Sequence, residues 1–226
     1  MFSDNTILLP MTYLGPVQLY CRYFGEEKIL IEQNDSYQKQ TYRNRCDIYG
    51  ANGRLSLVVP VKHERGKRLK VKDVKIDYDT DWRRLHWKGI ESAYNSSPFF
   101  EYYRDIFEPY YQKEFVFLID LCIHLNDDIL KILNKPVQLY LTKEFIVPGK
   151  IDTITDLRAL IHPKIRIEAD KGFRAIEYFQ VFRQAHGFIP GLSIIDLIFN
   201  MGPEAGRVLI SSCTLDKSAR FLEKLS

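Results

Sequence analysis

Apolar residues run from Thr6 to Leu9, stop at Pro10, and return from Ile29 to Glu32. Apolar runs of this length bounded by turn residues read as buried strands. Between them, TYLGP (Thr12 to Pro16) reads as a loop. Val17 to Phe24 reads as a helix entered through Pro16 and stopped by Gly25. Strand, loop, helix and strand within 33 residues form a βαβ-like unit, in which the loop at the first strand's carboxyl end commonly faces a ligand. Further on, Cys46 to Tyr49 and Leu55 to Val61 flank GANG (Gly50 to Gly53), where Asn52 and Gly53 tolerate positive φ, so the pattern predicts a hairpin. Val71 to Tyr78 gathers Val74, Ile76 and Tyr78 on one side and charges on the other, as a half-exposed strand does.

Helical spacing takes over at Thr80 or Asp81. Trp82, Leu85, His86, Gly89, Ile90 and Ala93 then share one stripe. Ser97 and Pro98 mark a second start ahead of FFEYYRDIFEPYY, an aromatic core run that Pro109 ends or kinks. Phe115 to Leu133 has the strongest helical period, and Val137 to Leu141 alternates like a strand. Ile151 to Arg174 reads as a loop-rich excursion. Ser193 and Asp196 stand at capping-box spacing before LIFNMG, and LDKSARFLEKL reads as a terminal surface helix. The expectation is an α/β fold: a mixed sheet flanked by helices, with an N-terminal βαβ-like unit, a β-hairpin insertion and a helical C-terminal half. Residues 1–226 are expected to form one domain, with 46–78 a candidate hairpin subdomain.

Composition narrows the function classes. With 226 residues, 46% of them hydrophobic, the chain can bury a sizeable core. No run approaches the ~18 apolar residues of a membrane span and the N-terminus lacks a leader pattern, so no membrane span is expected. Cys21, Cys46, Cys122 and Cys213 show no CxxC spacing, and no HExxH occurs. Neither metal, cofactor nor disulfide is therefore expected, and a reduced, cytoplasmic location fits. Net charge is only +3, but residues 37–75 carry +8 and the remainder −5. With so local a charge and no helix-turn-helix, zinc-finger or RNP signature, a nucleic-acid partner is not expected.

The basic segment begins with SYQKQTYRNRC (Ser36 to Cys46). If extended, it places Tyr37, Lys39, Thr41, Arg43 and Arg45 on one face, with Asn44 between the two guanidiniums. A guanidinium grips a carboxylate or phosphate through parallel N–H donors, so this face suits an anionic small molecule such as a nucleotide sugar, phosphosugar or activated amino acid. The other reading is a solvated basic edge strand that discourages aggregation. His86, sharing its stripe with Trp82 and Ile90, reads either as a general base or as a core histidine satisfied by a carbonyl. Tyr13 and Gln18 either face the end of the first strand or belong to a tight strand-to-helix turn. His63, His124, His162 and His186 lack ligand spacing, and no GxSxG, GxGxxG or P-loop is present.

The stretches YLGP, YQKQTYRNRC, LSLVVPV, DWRRLHWKGIESAYNSSPFFEYY and FQVFRQAHGFIPGLSIIDLIFNMGP resemble the WbqC-like family in the form seen in Bacteroidetes, across nearly the whole chain. The resemblance implies a place in surface-polysaccharide (O-antigen) biosynthesis, with transfer of glycine or another amino-acid or acyl group onto a sugar. Tyr37, Lys39, Arg43, Asn44 and Arg45 match the family's basic motif, and Trp82 and His86 its helix motif. This chain departs from the pattern at Leu9-Pro10, where many members have Gln-Pro or His-Pro, and at Gln33-Asn34-Asp35, where many have paired aspartates. Two expectations follow. One is a transferase in which Lys39, Arg43 and Arg45 hold an anionic group and His86 accepts a proton. The other is a non-catalytic module that binds an anionic glycan intermediate, a nucleotide or a partner protein.

Overall fold

The computed structural model describes residues 6–25, 28–62 and 68–214. His63, most of the charged loop around it and the expected terminal helix from Leu215 lie outside them. Strand β1 (Thr6–Pro10) is followed by α1 (Val17–Tyr20), which tightens into a 3₁₀ turn (Cys21–Phe24), and then by β2 (Lys28–Glu32). Both strands are almost wholly buried and pair in parallel, Ile7 against Ile29 and Leu9 against Ile31, which completes the expected βαβ unit. Strands buried on both faces need continuous apolar sequence, as TILLP and KILIE supply.

The hairpin forms from β3 (Arg45–Gly50) and β4 (Gly53–Val58), with Gly50 opposite Gly53. Gly53 takes the positive φ of +94°, whereas Asn52 does not. Arg45 and Arg54 both reach Asp47, at 3.1 and 3.2 Å, and Ser56 Oγ donates to the same carboxylate at 2.6 Å, so these arginines pin the hairpin. The 182–190 segment clasps its tip: Tyr49 Oη donates to the Gly187 carbonyl at 2.8 Å and Arg54 to the Pro190 carbonyl at 3.1 Å.

Two expected extended stretches take other forms. Residues 39–44 are turns, with Gln40 at φ +58°, so the alternating cationic face from Tyr37 to Arg45 does not exist; only from Arg45 is the chain a strand. Val71–Asp73 is a 3₁₀ turn, and among the described residues the segment after it makes only isolated bridges, Ile76 to Val61 and Lys75 to Phe117. Its alternation records burial of Val74 and Ile76 against the core without a ladder partner to extend it.

Helices α2 (Trp82–Tyr94), α3 (Phe100–Phe107), α4 (Pro109–Gln112) and α5 (Leu118–Ile132) follow, Pro109 separating α3 from α4 as its missing N–H requires. Strand β5 (Leu139–Leu141) joins β2, and β6 (Ile154–Asp156) joins β1 inside the stretch that reads as loop. The four-stranded sheet, ordered β5-β2-β1-β6, is parallel throughout, and the antiparallel hairpin stands beside it, so the strands are mixed in kind without mixing in one sheet. The C-terminal region is helical: α6 (Arg183–His186), α7 (Ile194–Met201) and α8 (Ala205–Ser212). No helix among the described residues is long and apolar enough to cross a membrane.

Ser193 caps α7, accepting from the Ile195 amide and donating to the Leu14 carbonyl. Asp196 does not close a capping box. It turns inward, fully buried, and accepts from Tyr94 Oη at 2.8 Å, Tyr178 Oη at 2.7 Å and Gln180 Nε2 at 2.9 Å. The helix ends at Gly202, at φ +52° and ψ −126°, where an added Cβ would lie 2.5 Å from the Phe99 ring. Gly202→Ala should therefore cost about 2–4 kcal/mol, from left-handed backbone strain plus overpacking. Urea unfolding of the variant measures this, and a cost below 1 kcal/mol would mean that the ring moves aside freely.

Candidate functional site

Sheet order locates the site. From β1 the chain steps outward to β2 and β5, then returns to place β6 on the other side of β1. The reversal lies between β1 and β6, and open α/β sheets bind ligands beyond the carboxyl ends of strands at such a point. Those ends are rich in charge. Glu32 closes β2, Asp35 follows it, Asp156 closes β6 and Arg158 comes two residues later.

Glu32 is fully enclosed. Its carboxylate accepts from the Asn34 amide and Thr142 Oγ1, both at 2.7 Å, from the Ile146 amide at 2.9 Å and from Arg158 at 3.4 Å. Arg158 also holds Asp156, through Nε at 2.9 Å and Nη2 at 2.5 Å, and donates to the Ile146 carbonyl. These two carboxylates more than offset the cost of burying Arg158, whose pKa is raised despite desolvation.

Arg43 is placed differently. Its side chain is 7% exposed and bonds to Asp35 at 2.7 Å, the one side-chain hydrogen bond it makes among the described residues. Desolvation dominates, the nearby charge of Arg158 adds to it, and Asp35, Tyr37 and Glu32 do not restore the balance, so its pKa is lowered. Tyr37 is in the same field. Its buried hydroxyl has no partner among the described residues, and burial pushes its pKa up to about 12 while Arg43 opposes the shift. His162, also within the field of Arg43, is driven toward the neutral form by desolvation and by Lys164 and Arg43. The Lys164 amide donates to His162 Nδ1 at 3.1 Å, which leaves the neutral ring's proton on Nε2 as a donor.

Of the residues singled out in the sequence, Arg43 and Tyr37 are thus brought to the sheet edge. Lys39 is exposed on the turn before Arg43, and Arg45 serves the hairpin. Asn44 is buried, donating to the Val59 carbonyl at 2.8 Å, with its own Oδ1 unpartnered among the described residues. Gln18 lies on α1 and donates to Asp170 Oδ2 at 2.8 Å. Tyr13 lies just beyond β1, wholly enclosed, with Oη 3.0 Å from His86 Nδ1 and 2.8 Å from Tyr111 Oη.

His86 belongs to that aromatic cluster. Trp82 meets its ring edge-on at 5.0 Å, and burial lowers its pKa to about 4 against a smaller opposing contribution from the Val58 backbone. It carries no charge at neutral pH and touches solvent only marginally. Glu32, Asp156 and Arg158 escaped the sequence reading, and His162 was set aside there for lacking ligand spacing. The cue for Arg158 was the alternation in Ile154–Asp156, three residues long inside an irregular stretch.

Two buried groups give opposite acid responses. Burial raises Asp196 from 3.8 to about 6, so the native state holds its proton more tightly than the unfolded chain; that contribution is full below about pH 4 and lost as pH rises to about 6. His86 is depressed from 6.5 to about 4, so its contribution is full above about pH 6.5 and lost as pH falls to about 4. Each is worth at most about 3 kcal/mol, and in the parent they largely cancel. Asp196→Asn should then lose stability on acidification from pH 6 to 4, and His86→Gln should lose it on going from pH 4 to 6. Urea unfolding across this range checks both, and equal slopes in the two variants would contradict the assignment.

A cavity of about 800 Å³ between α3 and α5, lined by Phe99, Tyr102, Tyr103 and Ile132, holds none of the edge residues. Cys21, Cys46 and Cys122 are buried thiols; a hydrogen bond with Cys213 and then desolvation hold the Cys21 thiol protonated, and desolvation does so for Cys46 and Cys122. Among the described residues no three His, Cys, Asp or Glu side chains gather as a metal-ligand set.

The chain is similar to Uncharacterized protein Rv1507c of Mycobacterium tuberculosis (strain ATCC 25618 / H37Rv), at 25% identity over 199 residues that cover 79% of this chain and 86% of the relative. No solved structure matches. The profile of the WbqC-like protein family matches residues 25–170, which include β2, the hairpin, β5, β6 and the charged sheet edge with Arg43 and Arg158. On that match, the chain belongs to the WbqC-like protein family.

Proposed function

We propose that the protein is a transferase that holds the anionic group of an activated sugar or amino-acid donor at the carboxyl edge of the parallel sheet, within surface-polysaccharide biosynthesis. Arg43 carries the reading. A guanidinium has five N–H donors, yet this one is buried with, among the described residues, a single hydrogen bond, to Asp35, and another cation in its field. A phosphate or carboxylate would supply the missing acceptors, and the Tyr37 hydroxyl and His162 Nε2–H stand in the same field as further donors. His86 acts in this reading as a positioning residue: it fixes Tyr13, and thereby the loop leaving β1, rather than meeting substrate.

A second reading, a binding module without chemistry, is favoured by one observation. Tyr13, Cys46, Cys122 and His86, each able to act as a nucleophile or base, are all buried. Thermal-shift titration with phosphate, nucleotide sugars, acyl-CoA and free amino acids separates the readings. A ligand at 100 times its Kd adds about 2.7 kcal/mol, or roughly 5–10 °C at this length. A stabilising donor that is also turned over supports the transferase, a stabilising ligand left intact supports the module, and no response from any anion would remove both.

A further inference from the structure

On the outer side of the β2–β5 pair, the segment that follows β5 folds back and leaves a groove of about 640 Å³. Leu30 forms part of the wall, with Leu141, Phe145 and Val147 around it. The last three are 39%, 44% and 45% exposed, a concentration of large apolar side chains in water that single scattered residues do not produce. Its size falls within the ~300–1,000 Å³ of small-molecule sites.

The rim is cationic. Lys28, Lys143 and Lys150 line it against the single acid Glu144, and none of these four is ion-paired among the described residues. Lys28 is held with its Nζ 4.4 Å above the Tyr140 ring, so its position is set without a carboxylate. The wall is anchored from behind. The Ile146 amide is fixed by Glu32, its carbonyl by Arg158, and the Phe145 ring packs on the Arg158 guanidinium at 5.3 Å. An apolar trough whose rim carries an excess of unpaired ammonium groups is complementary to one kind of small molecule.

We infer that this groove is a second ligand site, taking an amphipathic anion with an alkyl or acyl chain along Leu141, Phe145 and Val147 and its carboxylate or phosphate among Lys28, Lys143 and Lys150. The groove backs onto the arginine edge through Arg158 and Glu32 but is lined by other residues, and it stands whether or not the transferase reading does. Its concavity argues for a small ligand over a protein strand laid on β5, which would need a flat edge.

The test is calorimetric titration of the full chain with inorganic phosphate and with butyl, hexyl and octyl phosphate, and in parallel with butanoate, hexanoate and octanoate. Affinity should rise about fourfold per added methylene in at least one series; the series that binds more tightly at matched chain length names the head group. Val147→Glu, at an exposed position, should abolish the chain-length dependence, and Lys143→Glu with Lys150→Glu should weaken every member of the series. Affinities that do not grow with chain length, or that grow equally in both variants, would overturn the site. A concentration-dependent dimer dissolved by Val147→Glu would do so too, by assigning the face to a second copy.

Discussion

Asp170→Ala should cost about 3–5 kcal/mol of stability, the range for removing one partner of a buried ion pair, and lower Tm by roughly 10 °C. Arg22 and Asp170 are each about 2% exposed and are bonded to one another. Asp170 also accepts from Gln18 at 2.8 Å and from the Gly172 amide at 3.0 Å, tying α1 to the segment 150 residues later. Gly172 leaves the space for this, because a Cβ there would fall on the Arg22 guanidinium. Without the carboxylate, Arg22 is a buried cation with no counter-charge among the described residues, where its Nε already lacks a partner. Removing both charges should hurt less than removing one, so Arg22→Met with Asp170→Leu should recover much of the loss. Thermal and urea unfolding of the three variants measures this. A single-variant cost below 1 kcal/mol would show that solvent reaches the pair.

That pair shows which features a linear reading can hold. Gln18 was legible as a polar residue at the start of a helix after β1, but its partner sits 152 positions away, and nothing in local periodicity announces a contact of that separation. The βαβ unit, the hairpin and helices α2 and α5 were legible because each buries a periodic face against near neighbours in sequence. Strand β6 was not. Three residues give too little alternation, and the ladder to β1 that stabilises it is formed with residues about 148 positions earlier. Val71 to Tyr78 misled in the opposite direction, since its apolar side is buried by packing while its backbone finds only single bridges.

The candidate site follows the same division. Guanidiniums in YQKQTYRNRC pointed to anion chemistry, and Arg43 does occupy the sheet edge. The shared face on which Lys39 and Arg45 were to join it depended on an extended backbone that the turn at Gln40 prevents. Its second cation comes instead from Arg158, assembled through Glu32 and Asp156 from two other strands. A chain must close its sheet before those residues meet, so composition of the basic segment alone could not supply them.

Arg43→Met should leave the unliganded protein about as stable as the parent, or slightly more so, and abolish its stabilisation by anions. The pKa of Arg43 is lowered chiefly by desolvation, which means that the native fold works against its charge before any ligand arrives. Methionine keeps the apolar stem and volume while removing that cost, and Asp35, at 19% exposure, can be rehydrated once its partner is gone. Arg158→Met provides the contrast. It strips the counter-charge from Glu32, which is fully enclosed, and should cost about 3–5 kcal/mol. A residue kept for folding destabilises when removed, whereas a residue kept for binding is a strain that only the ligand relieves. Urea unfolding of both variants, with and without the anion that stabilises the parent, distinguishes the roles. If Arg43→Met is destabilised as severely as Arg158→Met, Arg43 is part of the scaffold and the anion site must lie elsewhere on this edge.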